Sequence, residues 1–179
     1  HDLTDIVTRL MDYAYIDSGQ MQAQIEELQL ADEIEELLDA LGATLAGASV
    51  EVAVPVAAVA ADRVLLRRVL VNLLTNAKKY GGEHSAVIIS VELSGDLAKV
   101  SVTDQGPGIA ADELPNVFEA FWRSGRDHQK RQGTGIGLAL VQDYTRLMGG
   151  TVGVESVVGT GTTFWFTLPL AQPLSSENE

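Results

Sequence analysis

Residues 62–80 read DRVLLRRVLVNLLTNAKKY, and this stretch decides the fold because it carries a strong helical pattern. Asp62 is a suitable N-cap, and Gly81-Gly82 stops the helix after Tyr80. The apolar residues fall on one arc at a spacing of about 3.6 residues: Leu66, Val69, Leu70, Leu73, Leu74 and Ala77. We therefore predict a helix over 62–80 with one buried face.

A polar stripe lies beside this apolar arc. Asn72, Asn76 and Lys79 stand at i, i+4 and i+7, so they align along the helix. Amides at a core boundary need partners. An amide oxygen is a suitable ligand for Mg²⁺, and an ammonium group suits phosphate. On this helix alone, solvated polar residues next to a core are the favoured interpretation.

The rest of the chain alternates between helical and strand patterns. Helices are predicted at 1–17, 32–45, 112–121 and 137–148, and strands at 21–28, 50–56, 86–93, 97–103, 151–156 and 162–168. The segment Ser94-Gly95-Asp96 indicates a hairpin between two of the strands. These elements favour an α+β fold: a two-layer α/β sandwich, with a mixed or antiparallel sheet covered on one face by helices.

Composition limits the classes of function. The chain has 179 residues, of which 46% are apolar, with no cysteine and a formal net charge of −13. The apolar fraction supports one packed domain, and the missing cysteine excludes a disulfide framework or thiolate metal site. The acidic balance repels nucleic acid and anionic lipid, so we expect neither as a partner. No apolar run approaches the roughly 20 residues needed to span a bilayer.

A short loop, Asp104-Gln105-Gly106-Pro107-Gly108, follows the strand that ends at Thr103. These are turn residues, so a plain turn is one interpretation. The alternative is that Asp104 is a fixed carboxylate above a glycine floor. Such a carboxylate would accept a hydrogen bond from the exocyclic amine of adenine, whereas guanine presents an oxygen there.

Two further glycine-rich segments are present. Gly133-Thr134-Gly135-Ile136-Gly137-Leu138 leads into a helix, so free N–H groups at the helix start would attract an anion. Its spacing is neither that of a Walker A loop nor that of the dinucleotide fingerprint. The segment from Gly159 to Phe164 lies between the last two strands, where a simple hairpin is the alternative.

Together, the order and spacing of these segments resemble the ATP-binding catalytic domain of sensor histidine kinases. That domain belongs to the gyrase, heat-shock-chaperone, histidine-kinase and mismatch-repair ATPase superfamily. The similarity covers about residues 20–170. The segments that resemble the family's N box, G1 box, F box, G2 box and third glycine motif are Asn72–Tyr80, Asp104–Gly108, Phe118–Arg123, Gly133–Leu138 and Gly159–Phe164.

The resemblance implies a role for each matching residue. Asn72 and Asn76 would hold Mg²⁺ against the phosphates, Lys79 would reach a phosphate, and Tyr80 would lie near the ribose or base. The remaining expected ATP-binding residues are Asp104 (adenine), Gly106 and Gly108 (room for the ring), Gly133, Thr134, Gly135, Ile136, Gly137 and Leu138 (phosphate side), and Thr162 (behind the adenine).

The resemblance also implies a lid over about residues 109–134. It contains four of the chain's twelve lysine and arginine residues, Arg123, Arg126, Lys130 and Arg131, together with His128. Against the acidic background, this cluster would compensate the charge of ATP. Lys79 and Arg123 are the expected catalytic cations. Arg123 gains importance because Ala120 stands where a basic residue is common, and Phe118 and Phe121 are expected to anchor the lid to the body.

Position 72 bears on the reaction. Members of the superfamily that hydrolyse ATP carry Glu there as a base for water, and its serine kinases also tend to carry Glu. Asn72 cannot take up a proton at neutral pH, so transfer to a protein acceptor is favoured over hydrolysis. A superfamily ATPase or serine kinase, and a non-catalytic nucleotide sensor, remain the alternatives.

In the family, the acceptor is a histidine on a two-helix dimerisation module. Residues 1–19 are expected to be the end of its second helix, residues 20–170 the catalytic domain and residues 171–179 a disordered tail. His1 is not expected to be the acceptor, because the first helix breaks at Ser18-Gly19, and His84 and His128 are expected in solvated loops. The expected partners are the dimerisation module and a response regulator receiver domain. We expect this fragment to be cytoplasmic, mostly monomeric and without direct membrane contact. Its parent protein could be anchored in the inner membrane.

Overall fold

The structure is a computed structural model that describes residues 3–82, 86–123 and 134–171. The helices are α1 (Leu3–Asp17), α2 (Leu30–Ala40), α3 (Arg63–Gly81) and α4 (Gly137–Leu147). The strands are β1 (Glu26–Gln29), β2 (Ser49–Ala53), β3 (Ala58–Ala61), β4 (Ala86–Ser94), β5 (Leu97–Asp104), β6 (Val152–Val157) and β7 (Gly161–Pro169).

Five strands form the main sheet in the order β2-β4-β5-β7-β6. β2 runs parallel to β4, and the other neighbours are antiparallel. The predicted mixed sheet with helices on one face is therefore confirmed. A second, two-stranded sheet of β1 and β3 was not predicted as a separate unit.

The core lies between this sheet and α3. Alternate residues of β4 and β5 point into it, because successive side chains of a strand face opposite ways. They meet the apolar arc predicted for α3, which is buried along its length. α4 packs beside α3, and its Leu140, Val141 and Tyr144 are buried in the core. The sheet and α4 therefore fix both the position and the rotation of α3.

The start of α3 is fixed by a carboxylate. Asp62 accepts hydrogen bonds from the backbone N–H groups of Val64 and Leu65, at 2.9 and 3.0 Å. It also accepts one from the Gln24 N–H at 2.8 Å, which ties the segment before β1 to the helix. The predicted N-cap at Asp62 is thus confirmed.

Several predicted boundaries are wrong. The strand predicted over 50–56 ends at Ala53, since Pro55 has no N–H for a sheet ladder, and β3 begins separately. The strand predicted over 21–28 is only Glu26–Gln29, set by pairing with β3. The helix predicted from Asp32 starts at Leu30, whose side chain is fully buried, and its last predicted residues form turns that still bury Leu45.

The helix predicted over 112–121 is also wrong. Only Leu114–Asn116 forms a helical turn, of the 3-10 type. Pro115 removes a backbone donor there, and Phe121 has a φ of 66°, which an α-helix cannot contain. The other helices and strands agree with the prediction to within a few residues at each end. Of the predicted disordered tail 171–179, only Ala171 is described, and its N–H donates to the Ala58 carbonyl at 2.9 Å, so the tail prediction is wrong at this residue. Residues 172–179, His1, His84 and His128 lie outside the described residues.

No helix in the described ranges is long and apolar enough to cross a membrane.

We expect Asp62→Ala to lower the free energy of unfolding by about 1–2 kcal/mol, because it removes the cap of α3. Urea denaturation of the purified chain measures this. Asp112→Ala, at an exposed turn residue, is the matched control and should change stability by less than about 0.5 kcal/mol. Equal effects of the two substitutions would contradict the capping role.

Candidate functional site

α3 presents the predicted polar stripe at the edge of its buried face. Asn72 is 7% exposed. Its Nδ2 donates to the Arg68 carbonyl oxygen at 2.9 Å, which orients the amide, and its Oδ1 accepts from Arg9 Nη1 at 3.0 Å. Asn76 lies one helical turn further on and is half-buried. The structure therefore places two amide groups in one row, as the spacing predicted.

The two lysines at the end of α3 differ in their surroundings. Lys78 Nζ donates to the backbone carbonyls of Thr44 and Ala46, the latter at 2.9 Å, so it binds the loop after α2. Lys79 Nζ lies 4.9 Å from the centre of the Tyr80 ring, a distance at which a cation and a ring attract each other. Only Lys79 belongs to the predicted stripe.

The loop after β5 closely approaches the end of α3. Asp104 is 5% exposed, and its Oδ1 accepts from the Gly106 N–H at 2.8 Å. A Cβ atom at Gly106 would lie 2.6 Å from the Tyr80 carbonyl oxygen and 2.8 Å from Asp104 Oδ1. Gly106 is therefore required by the close approach of the loop to α3.

Burial raises the pKa of the Asp104 carboxyl above its ordinary value of 3.8. The backbone N–H groups of Gly106 and Thr162 act in the opposite direction, because they donate to the charged form. The carboxylate is thus held at the strand end by backbone donors in a poorly solvated position.

The third glycine motif packs against the same loop. The Gly159 N–H donates to the Pro107 carbonyl at 2.8 Å, and Thr162 pairs with Asp104 in the sheet. A Cβ at Gly108 would lie 2.3 Å from the Val157 carbonyl oxygen. Ser156 joins the two segments: its hydroxyl accepts from the Ile109 N–H and lies 2.8 Å from the Thr162 hydroxyl. Sequence analysis did not identify Ser156, because this contact depends on strand pairing.

The start of α4 lies beside Asn72. A Cβ at Gly137 would be 3.0 Å from Asn72 Oδ1 and 3.5 Å from Arg9 Nη1. Gly135 has a φ of +71°, and its carbonyl accepts from the Phe121 N–H at 2.9 Å. Ile136 has a buried side chain, so only its backbone can face a ligand.

The structure describes only some of the other residues predicted to lie near the phosphates. Thr134 and Leu138 are half-buried at the start of α4. Arg123 is half-buried at the end of the F-box segment. Gly133 and the remaining basic residues of the predicted lid, together with His128, lie outside the described residues: Arg126, Lys130 and Arg131.

The two phenylalanines of the F-box segment have different roles. Phe118 packs edge-to-face on Phe164 in the core, with ring centres 6.0 Å apart, so its predicted anchoring to the body is confirmed. Phe121 is 61% exposed and contacts Tyr13 of α1 instead, with ring centres 6.2 Å apart. The expectation that Phe121 anchors to the body is therefore wrong.

The two amides, Asn72 and Asn76, could supply only part of the ligand shell of Mg²⁺. Within the described ranges, no group of three or more His, Cys, Asp or Glu side chains could hold a metal ion. Mg²⁺ commonly takes one or two protein oxygens and completes its shell with water and phosphate oxygens. Asn72 and Asn76 are suited to that arrangement.

These groups lie in sequence along α3. Asn72 lies beside Gly137 at one end, Asn76 follows one turn later, and Tyr80 lies beside Gly106 at the other end. The predicted residues of three separate stretches thus meet along one helix, and the third glycine motif packs against the Asp104 loop. Besides Ser156, sequence analysis missed the residues of α1 that contact the same region, Arg9 and Tyr13.

Comparison with known proteins agrees with this geometry. Residues 61–172 match the family described as histidine kinase-, DNA gyrase B- and HSP90-like ATPase. This span is more than half of the chain, so the chain belongs to that family.

Two relatives indicate the branch of the family. The chain is 37% identical over 176 residues to the sensor protein KdpD of Rathayibacter rathayi, covering 98% of this chain and 20% of that protein. It is 34% identical over 176 residues to the non-motile and phage-resistance protein of Caulobacter vibrioides, covering 94% and 21%. The chain thus spans about a fifth of the length of these relatives.

Solved structures show the same fold. Full-length ShkA in complex with AMPPNP matches with a TM-score of 0.82 at 30% identity, over 96% of this chain and 36% of that one. The catalytic domain of the histidine kinase ThkA matches with a TM-score of 0.72 at 26% identity, over 82% of this chain and 95% of that one. The chain is an ATP-binding catalytic domain of the sensor histidine kinase type.

We expect Gly106→Ala to lower the free energy of unfolding by about 1–3 kcal/mol, since the added methyl group would overlap the Tyr80 carbonyl. Thermal and urea unfolding measure the change. Gly42→Ala is the control, because its nearest atom would lie at an ordinary contact distance of 3.4 Å. If Gly106→Ala is no more destabilising than this control, the close approach of the loop to α3 is wrong.

Proposed function

We propose that the chain binds ATP along α3, between the Asp104 loop and the start of α4, and transfers the γ-phosphoryl group to a histidine on a dimerisation module. The observation that carries the proposal is the row of groups from Asn72 to Tyr80, with a glycine-rich segment at each end. The eight residue steps from Asn72 to Tyr80 span about 12 Å along the helix. This length suits an extended nucleotide with its base at one end and its phosphates at the other.

The base would lie at the Asp104 end. The Asp104 carboxylate, already oriented by Gly106, would accept from the N6 amine of adenine. Gly106 and Gly108 would leave room for the ring, Thr162 would lie behind it, and Tyr80 would contact the ribose or base. Guanine would bring its O6 toward the carboxylate, and two acceptors repel each other. This arrangement supports selectivity for ATP over GTP.

The phosphates would lie at the start of α4. The backbone N–H groups of Gly135, Ile136 and Gly137 precede or begin a helix of eleven residues, and such groups attract anions. Thr134 and Leu138 border them, and we expect Gly133 to complete the segment. Lys79 and Arg123 would supply the positive charge that a chain of net charge −13 otherwise lacks.

Asn72 and Asn76 would hold Mg²⁺ through their amide oxygens. When bound, the ion would neutralise charge on the phosphate oxygens. The protein's own contribution is to orient the phosphates and to place Lys79 and Arg123 around the transferred group. Phosphoryl transfer depends mainly on such alignment and charge stabilisation.

The nature of residue 72 favours transfer over hydrolysis. Asn72 has no basic group, and its Nδ2 is committed to the Arg68 carbonyl. Water activation at this position would therefore be poor, which preserves ATP for a histidine acceptor. A high intrinsic ATPase rate would instead favour the ATPase alternative.

α1 supports the connection to a dimerisation module. Leu3, Val7, Leu10 and Ala14 recur at alternating spacings of four and three residues, as in a helical bundle, and all four are exposed. This face would pack against the other helices of the module, which makes residues 1–19 the end of its second helix and residues 20–170 the catalytic domain. We propose relay from the module's histidine to a response regulator and a cytoplasmic location.

We expect Lys79→Ala to weaken Mg²⁺-ATP binding about ten- to a hundredfold, because it removes a charged contact to phosphate. Calorimetric titration of the purified chain measures this. Lys78→Ala is the matched control: it removes the same charge one residue away, on the loop-binding side of α3, and should leave the affinity within about twofold.

The transfer step has its own readout. Fused behind the dimerisation module of a sensor histidine kinase, so that α1 continues its second helix, the chain should label the module's histidine from γ-labelled ATP. Lys79→Ala should abolish this labelling, whereas Lys78→Ala should not. Tight ATP binding without any labelling would favour a non-catalytic nucleotide sensor.

We expect Asp104 to make adenine recognition dependent on pH. The N6 amine donates to the carboxylate, so binding lowers the raised pKa of Asp104, and by linkage affinity falls as the carboxylate is protonated. At neutral pH, ATP should bind about ten- to a hundredfold more tightly than purine riboside triphosphate, which lacks the amine. This ratio should fall on acidification toward 3.8.

The affinity ratio is insensitive to the titration of the phosphates, which both nucleotides share. Asp104→Asn should lower the ratio at all pH values. Asp143→Asn is the control, because burial also raises the pKa of Asp143 but this residue lies on α4 away from the base. A wild-type ratio that is independent of pH would rule out the adenine role.

A further inference from the structure

α1 contacts the site through a different face from its exposed apolar one. Arg9, Asp12, Tyr13 and Ile16 are spaced at i, i+3, i+4 and i+7, so they share one side of the helix. Sequence analysis predicted this helix but not the face through which it docks. The second face connects α1 to both α3 and α4, and Ile16 joins the core.

A buried charge fixes this contact. Asp12 is 9% exposed, and its Oδ2 accepts from Arg68 of α3 and from the Tyr144 hydroxyl of α4, the latter at 2.6 Å. The Arg68 guanidinium also lies 5.8 Å from the centre of the Tyr144 ring. A buried carboxylate is tolerated only with such partners, so Asp12 and its two partners specify how α1 docks.

Arg9, on the same face of α1, contacts the proposed metal ligand Asn72. Its Nη1 donates to Asn72 Oδ1 at 3.0 Å, beside Gly137. The Asn72 amide is held from its other end by the Arg68 carbonyl, so its oxygen cannot turn away from Arg9 without losing a hydrogen bond. A guanidinium at this oxygen occupies the position of a cation and repels a second one.

One turn along, Tyr13 contacts Phe121, whose backbone N–H bonds to Gly135. Docked α1 therefore contacts three of the segments proposed to surround ATP: the N box, the F box and the start of α4. The outward face of the same helix, including Leu3 and Val7, is exposed.

We propose that this face of α1 is an inhibitory latch: while α1 is docked, Arg9 occupies the Asn72 oxygen and competes with Mg²⁺, and release of α1 restores the metal ligand. The inference rests on the proposed role of Asn72 in Mg²⁺-ATP binding. The apparent affinity for Mg²⁺-ATP is then reduced by the fraction of chains in which α1 is docked.

The first test is calorimetric titration of the purified chain with ATP, in the presence of Mg²⁺ and in the presence of EDTA. Arg9→Gln should tighten Mg²⁺-ATP binding about three- to tenfold and leave ATP binding in EDTA unchanged. Asp12→Asn, which weakens the docking without touching Asn72, should act in the same direction. Arg146→Gln is the control for lost charge, because Arg146 is exposed on α4 and pairs with Asp143; it should change neither affinity.

A second readout follows from the reciprocity of coupled equilibria. If undocking of α1 favours Mg²⁺-ATP, then Mg²⁺-ATP must favour undocking. Hydrogen exchange of the α1 amides should therefore be faster with Mg²⁺-ATP than with ATP in EDTA, and Arg9→Gln should reduce this difference.

The outcomes distinguish failure of the α1 latch from failure of the proposed metal role of Asn72. If Arg9→Gln weakens ATP binding in both conditions, Arg9 is a phosphate contact and the latch is wrong; unchanged affinity, or slower exchange of α1 with Mg²⁺-ATP, also overturns it. If the wild type and both α1 variants bind ATP equally with and without Mg²⁺, the proposed metal role of Asn72 fails, and the latch fails with it.

Discussion

The site depends on the burial of one face of α3 against the sheet. Leu66, Leu70, Leu73 and Leu74 are almost completely buried, and burial of each contributes about 1.5–3 kcal/mol. Because this face fixes the rotation of the helix, the adjacent stripe from Asn72 to Lys79 has no freedom to turn. A rigid helix can thus hold polar groups at a precise spacing, which a loop could not.

The glycines also fix the geometry of the site, because they allow one backbone segment to approach another closely. Gly106 lets the Asp104 loop reach the Tyr80 carbonyl, and Gly108 lets it reach β6. The conformation at Gly161, with a φ of +146°, would be strained for other residues, and a Cβ there would lie 2.0 Å from the Asp104 carbonyl oxygen. The end of the proposed site where the base would lie is therefore formed mainly by backbone, together with the Asp104 carboxylate.

The features that sequence predicted are those encoded locally. The cap, the apolar arc and the stop of α3 lie within about twenty residues of each other. The hairpin of β4 and β5 and the glycine-rich start of α4 are likewise each encoded by neighbouring residues. The features it missed depend on distant partners. Leu30 joins α2 because tertiary burial selects it, and the left-handed conformation of Phe121 accompanies a bond to Gly135 and a contact with Tyr13. The helical spacing of α1 likewise predicted a helix but not its docking face.

Most of the positive charge on α3 is used to hold other parts of the fold to this helix. Arg63 and Arg67 share the buried carboxylate of Glu33, Arg68 binds Asp12, and Lys78 binds backbone carbonyls. Four cations at or near α3 are thus committed to structure, and they fasten α1 and α2 to the helix. Arg68 has two structural roles: its carbonyl orients Asn72, and its guanidinium binds Asp12 of α1. A single residue thus contacts both α1 and the amide on which metal binding would depend, which is the structural basis of the proposed latch.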